Sequence, residues 1–89
     1  MPTTDSAAKR ARQNERNRKR NKELKTRVKT ARKKVTDALK AGEEEEEVRQ
    51  LLQEAISLID KAVTKGVFHR NKGGRLKSRL HSRVKKEFQ

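Results

Sequence analysis

Residues 48–63 read VRQLLQEAISLIDKAV. Val48, Leu51, Leu52, Ala55, Ile56, Leu58, Ile59, Ala62 and Val63 follow the α-helical period and make the broadest apolar face in the chain. A face this wide must be covered by other elements. Alternating β-branched runs are missing, so those elements are expected to be helices as well. Glu43 to Glu47 stand in front of the segment. Their natural place is a solvated first turn that complements the positive end of the helix dipole. Massed carboxylates without histidine or an Asx pattern make a poor metal site. Lys61 and Lys65 lie at the other end, where the dipole favours cations, and Gly66 is the stop.

Working outward toward the N-terminus, Leu24, Val28, Ala31, Val35, Ala38 and Leu39 form a second stripe, with Lys22, Lys25, Lys29 and Lys33 on the other side. Gly42 is suited to end this helix as its C′ residue. Asp5 or Ser6 is the expected N-cap. Toward the C-terminus, Val67 and Phe68 lead into HRNKGG, where Asn71 is the expected cap of a third helix ending near Phe88. Its apolar row, Leu76, Leu80, Val84 and Phe88, steps by four residues each time. So narrow a stripe suits the groove between two other helices. The fold class is therefore all-α: a three-helix bundle over residues 24–89, with a long first helix that extends beyond it through residues 1–23. The whole chain is expected to be a single domain.

That extension holds no large apolar residue between Pro2 and Glu23. Its centre, KRARQNERNRKRNK over residues 9–22, has eight Lys or Arg among fourteen residues and one acidic residue, Glu15. Such a stretch cannot bury a core but can neutralise phosphates. The 89-residue chain carries a formal net charge of +14. Residues 1–41 contribute +11, residues 42–66 contribute −4 and residues 67–89 contribute +7. Two basic regions thus flank an acidic, more apolar middle, which points to a polyanionic partner.

Nucleic acid is the first candidate. No stretch approaches the roughly 20 apolar residues of a spanning helix, and no apolar leader is visible at the N-terminus. Cysteine, tryptophan and tyrosine are absent and phenylalanine occurs twice. Disulfides, thiolate chemistry and base-stacking platforms are thereby set aside. His69 and His81 have no Cys, Asp or Glu at dyad or ligand spacing, so neither catalysis, a metal, a cofactor nor a small-molecule substrate is expected. His69 fits a phosphate or turn contact instead.

On a helical wheel, Arg10, Arg12, Arg16, Arg18, Lys19, Arg20 and Lys22 point in nearly every direction. Asn14, Asn17 and Asn21 fill gaps between them. A helix in one groove of a duplex needs charge mainly on one side. Charge all round suits a rod with polyanion on several sides, as structured RNA supplies, recognised by shape and phosphate. Like charges at i,i+4 weaken a free helix, so the order of this arm is expected to come from its partner. In the third helix Lys72, Arg75, Arg79, Arg83 and Lys86 make a second, phosphate-facing row. A basic DNA-binding regulator or nucleoid-type protein is the rival reading. The stripe opposes a zipper, since Ala31 and Ala38 hold heptad positions and Gly42 ends the repeat after fewer than three heptads.

The whole chain resembles the bacterial small-subunit ribosomal protein family numbered twenty. The resemblance rests on SAAKRARQNERNRKRNK from Ser6, on KAG at Lys40 to Gly42, and on DKAVTKGVFHRNKGGRLKSRL from Asp60 to Leu80. In the last stretch Asp60, Lys65, Gly66, His69, Asn71, Arg75, Lys77 and Leu80 match the family's pattern. The resemblance implies a three-helix bundle that binds 16S ribosomal RNA in the small ribosomal subunit, at the 5′ domain and the long 3′ minor-domain helix, and supports assembly. It implies RNA contacts at Lys9, Arg10, Arg12, Arg16 and Asn17, and at His69, Asn71, Lys72 and Arg75. With the residues read from charge, the candidate set adds Arg18, Lys19, Arg20, Lys22 and Lys29, and Arg70, Arg79 and Arg83. It also implies a ribosomal location, in the bacterial cytoplasm or in an organelle of bacterial type. Gly73-Gly74 departs from the two alanines usual in the family. Glycine costs helix propensity there and is expected to admit closer backbone approach to RNA. The five-glutamate run is richer than the family's acidic turn and is expected to face solvent.

Overall fold

The computed structural model describes the backbone of residues 2–89 and the side chains from Ala7 onward. Three helices follow one another: α1 (Pro2–Ala41), α2 (Glu45–Thr64) and α3 (Arg70–Glu87). At about 1.5 Å per residue, a 40-residue helix is roughly 60 Å long. It sets the long dimension of the molecule, whose extents are 65 × 22 × 14 Å.

The buried residues are those of the three stripes. α1 contributes Leu24, Val28, Ala31, Val35 and Ala38; α2 contributes Val48, Leu52, Ala55, Ile59 and Ala62; α3 contributes Leu76, Leu80 and Val84. Phe68 closes the core from the α2–α3 connection. Alanines recur on the buried faces of both α1 and α2, and α1 packs chiefly on α2. α3, with its four-residue step, fills the remaining groove.

Both turns are Schellman motifs, and each needs its glycine. Gly42 has φ +72°; its N–H donates to Leu39 and that of Glu43 donates to Ala38. Gly66 has φ +76°; its N–H donates to Val63 and that of Val67 donates to Ala62. A left-handed residue at C′ lets two orphan carbonyls at each helix end find donors. Short turns make the helices antiparallel neighbours, so α3 begins at the level where α1 leaves the bundle.

Three boundaries differ from the sequence expectation. α1 starts at Pro2, where a missing N–H costs nothing, so Asp5 and Ser6 lie within the helix. α2 starts at Glu45, with Glu44 as an extended N-cap that makes no side-chain hydrogen bond. α3 is capped by His69, not Asn71: the imidazole Nδ1 accepts the Asn71 N–H at 3.1 Å. A ring nitrogen two residues upstream reaches the N2 amide, and Asn71 is left in the first turn.

The two adjacent glycines play different roles. Gly73 is buried, and a Cβ there would collide with Cγ2 of Val63 while meeting Ile59 at 3.6 Å. The close approach it permits is therefore α3 to α2, not backbone to RNA. Gly74 is exposed and has nothing within 4 Å of where its Cβ would stand. One turn further on, Lys77 Nζ meets Asp60 Oδ1 at 2.7 Å and ties α3 to α2.

Candidate nucleic-acid interface

Every described side chain from Ala7 to Arg20 is exposed, and the first buried one is Leu24. The helix continues through this boundary without a break, so the packed half fixes the direction of the arm. Apart from Lys19 and Arg10, the latter in line with the stripe that is buried from Leu24 onward, the arm's cations fall on two flanks. Arg18, Lys22, Lys25, Lys29 and Lys33 recur every three or four residues along one flank. Lys9, Arg12, Arg16 and Arg20 recur along the opposing flank, which Arg27 and Lys34 continue. Lys19 lies between the two flanks on the solvent side. Arg18 forms an ion pair with Glu15 at 2.9 Å, with 77% of its own side chain exposed. A pair that open is worth well under about 1 kcal/mol and leaves Arg18 available to phosphate.

The sequence expectation stopped these tracks near Lys22, with Lys29 beyond. The structure carries both along the bundle itself, through Lys25 and Lys33 on one flank and Arg27 and Lys34 on the other. The signal was present in the same three-and-four spacing.

At the start of α3, His69, Arg70, Asn71 and Lys72 are exposed at the root of the arm. Part of their chemistry is already used. His69 commits Nδ1 to the helix cap, and Lys72 holds its Nζ 4.6 Å from the centre of the Phe68 ring. Arg75, Arg79, Arg83 and Lys86 make an exposed row on the face away from Gly73 and Lys77, the positions where α3 meets α2. The fold therefore brings the root of the arm at Lys22 and the start of α3 at His69, 47 residues apart in the chain, to one end of the bundle, while α3 carries Arg79 and Arg83 toward the other end, where Val84 and Lys85 line one groove with Arg49 of α2. Glu43 to Glu47 are exposed at the other end. Among the described residues no group of three His, Asp or Glu is arranged to hold a metal ion, and no helix is long and apolar enough to cross a membrane.

The sequence that folds into this basic rod and small helical bundle has relatives. A sequence model described as ribosomal protein S20 matches residues 2–85. The chain belongs to the ribosomal protein S20 family. "Small ribosomal subunit protein bS20" of Thermosipho africanus is 49% identical over 88 residues, covering 99% of this chain and 96% of the relative. The protein of that name from Thermotoga neapolitana is 50% identical over 84 residues, covering 94% and 85%. "Small ribosomal subunit protein bS20c" of Spinacia oleracea is 52% identical over 88 residues, covering 90% of this chain and 48% of its own longer one. Within the S20 pattern several matched positions have architectural work here: Gly66 makes a turn, Asp60 and Lys77 join α2 to α3, and His69 caps α3.

Proposed function

We propose that this protein is a structural component of the small ribosomal subunit, that it binds 16S ribosomal RNA directly through phosphate and shape contacts, and that it supports subunit assembly. The observation that carries this reading is the arm: exposed side chains throughout, cations on two opposing flanks, and a rigid root in the bundle. Two flanks suit two RNA elements, and the 5′ domain and the long 3′ minor-domain helix are the pair proposed. The residues proposed to reach RNA are the candidate set from Lys9 to Lys29 and from His69 to Arg83, with the lysines and arginines that extend the flanks. The role is structural and not catalytic. Residues 1–89 act as one domain, with residues 24–89 as anchor and residues 1–23 as extension. The acidic end of the bundle faces away from RNA, since carboxylates beside phosphates repel.

Hydroxyl-radical footprinting on naked 16S rRNA tests the proposal. Protection should fall in both named elements and disappear together as salt rises. Protection confined to one element, or none, would refute the bridging role. A DNA-binding regulator would leave the small subunit on sedimentation at moderate salt, whereas this protein should stay with it.

A further inference from the structure

From Gln13 to Asn21 charge does not surround the arm completely. The buried stripe of α1 runs Leu24, Val28, Ala31, Val35 and Ala38, at alternating steps of four and three. Continued backward at the same steps it falls on Asn21, Asn17 and Asn14 before it reaches Arg10. The face that packs protein in the second half of α1 is thus a face of neutral amides from Asn14 to Asn21. Asn14 and Asn17 are exposed, Asn21 is half-buried, and none of the three side chains has a hydrogen-bond partner among the described residues. Arg18, Lys22 and Lys25 border them, and the six side chains line one shallow groove along the helix.

We propose that this amide face seats in the minor groove of an RNA duplex, where Asn14, Asn17 and Asn21 hydrogen-bond ribose 2′-hydroxyls while the cations beside them take the phosphates at the lip. The inference rests on the proposed rRNA-binding function and assigns one face of the arm to one part of the RNA. Three arguments support it. A face meant for phosphate alone would be cationic, as the two flanks are. The carboxamide both donates and accepts, which matches a hydroxyl that does the same. The side chain is short, so the helix backbone can come close, and the minor groove of A-form RNA is wide and shallow enough to admit it while displaying its 2′-hydroxyls. From Asn14 to Asn21 is about 10 Å along the axis, at about 1.5 Å per residue.

The test is N14A/N17A/N21A in the full chain, bound to transcribed 16S rRNA over a range of salt, with hairpins of RNA and of DNA as competitors. Alanine is a stronger helix former than asparagine. An arm that works only as a charged rod would bind as well or better after the change. The proposal expects affinity for 16S rRNA to fall about tenfold or more, from three neutral hydrogen bonds of ordinary strength. The slope of log affinity against log salt should not change, because every phosphate-binding cation is retained. The parent chain should prefer the RNA hairpin to the DNA hairpin, and the variant should lose most of that preference.

Equal or tighter binding by the variant overturns the proposal, as does a reduced salt slope or a parent chain that does not distinguish RNA from DNA. A variant that binds naked rRNA normally but fails to enter the subunit also overturns it, and assigns the face to a protein neighbour. A parent chain with no affinity for 16S rRNA would instead refute the function proposed above.

Discussion

The two halves of α1 share one backbone and one period but differ in what covers the stripe. From Leu24 to Ala38 the stripe is apolar and sealed by α2 and α3, with Val35 wholly buried. From Asn14 to Asn21 the same positions carry amides and have no protein cover sufficient to bury them. A helix can thus change from core element to exposed basic arm without any change of geometry. The change at Leu24 is one of side-chain chemistry alone. Stability should therefore follow the second half and affinity the first.

The sharpest way to break that division is a cavity in the core. Ile59 is fully buried, so Ile59→Ala should lower unfolding free energy by about 2–4 kcal/mol, read from urea unfolding. The salt slope of rRNA binding by the folded fraction should be unaltered. A changed slope would mean that core and arm are not separable.

The reciprocal experiment removes charge from one flank. Arg12, Arg16 and Arg20 together replaced by alanine should weaken 16S rRNA binding at least tenfold and reduce the salt slope by roughly 2–3, near 0.7–0.9 for each phosphate no longer neutralised. Thermal unfolding of the bundle should be unmoved, because none of the three touches the core. Unchanged affinity and slope would remove this flank from the mechanism.

His69 lies where the two regions meet, and substitutions can separate its roles. His69→Ala should cost about 1 kcal/mol of stability through loss of the α3 cap, and His69→Asn should restore most of it. An affinity loss that persists in His69→Asn would identify a direct RNA contact as well.

The adjacent glycines give the smallest effects. Gly74→Ala should stabilise by a few tenths of a kcal/mol, up to about 1 kcal/mol, by limiting the unfolded chain. Gly73→Ala should lose that gain because Val63 stands in the way, and adding Val63→Ala should relieve the collision. Thermal melts of the three variants decide this.

Most of the fold was legible because it depends on periodic burial. Each buried residue of α1 and α2 lay on a stripe visible in the chain, and both glycine turns were placed by the ends of those stripes. The start of α3 was misread because local preference favours asparagine as a cap. The geometry that let His69 Nδ1 reach the Asn71 amide is set by the preceding turn, through Val67 and Phe68 bonding back to Ala62. Gly73 was misread for a related reason: its role depends on Val63, ten residues away on another helix. The candidate interface was legible as charge but not as faces. Counting cations around a wheel concealed the fact that the core stripe continues into the arm as Asn14, Asn17 and Asn21.

The most direct measurement compares the full chain with one lacking residues 2–23, for thermal unfolding and for affinity to naked 16S rRNA at one moderate salt concentration. The shortened chain should unfold cooperatively at a temperature close to that of the full chain and bind rRNA at least a hundredfold more weakly, since it loses eight cations of the arm and no core residue. Retained affinity in a folded, shortened chain would contradict the assignment of binding to the arm.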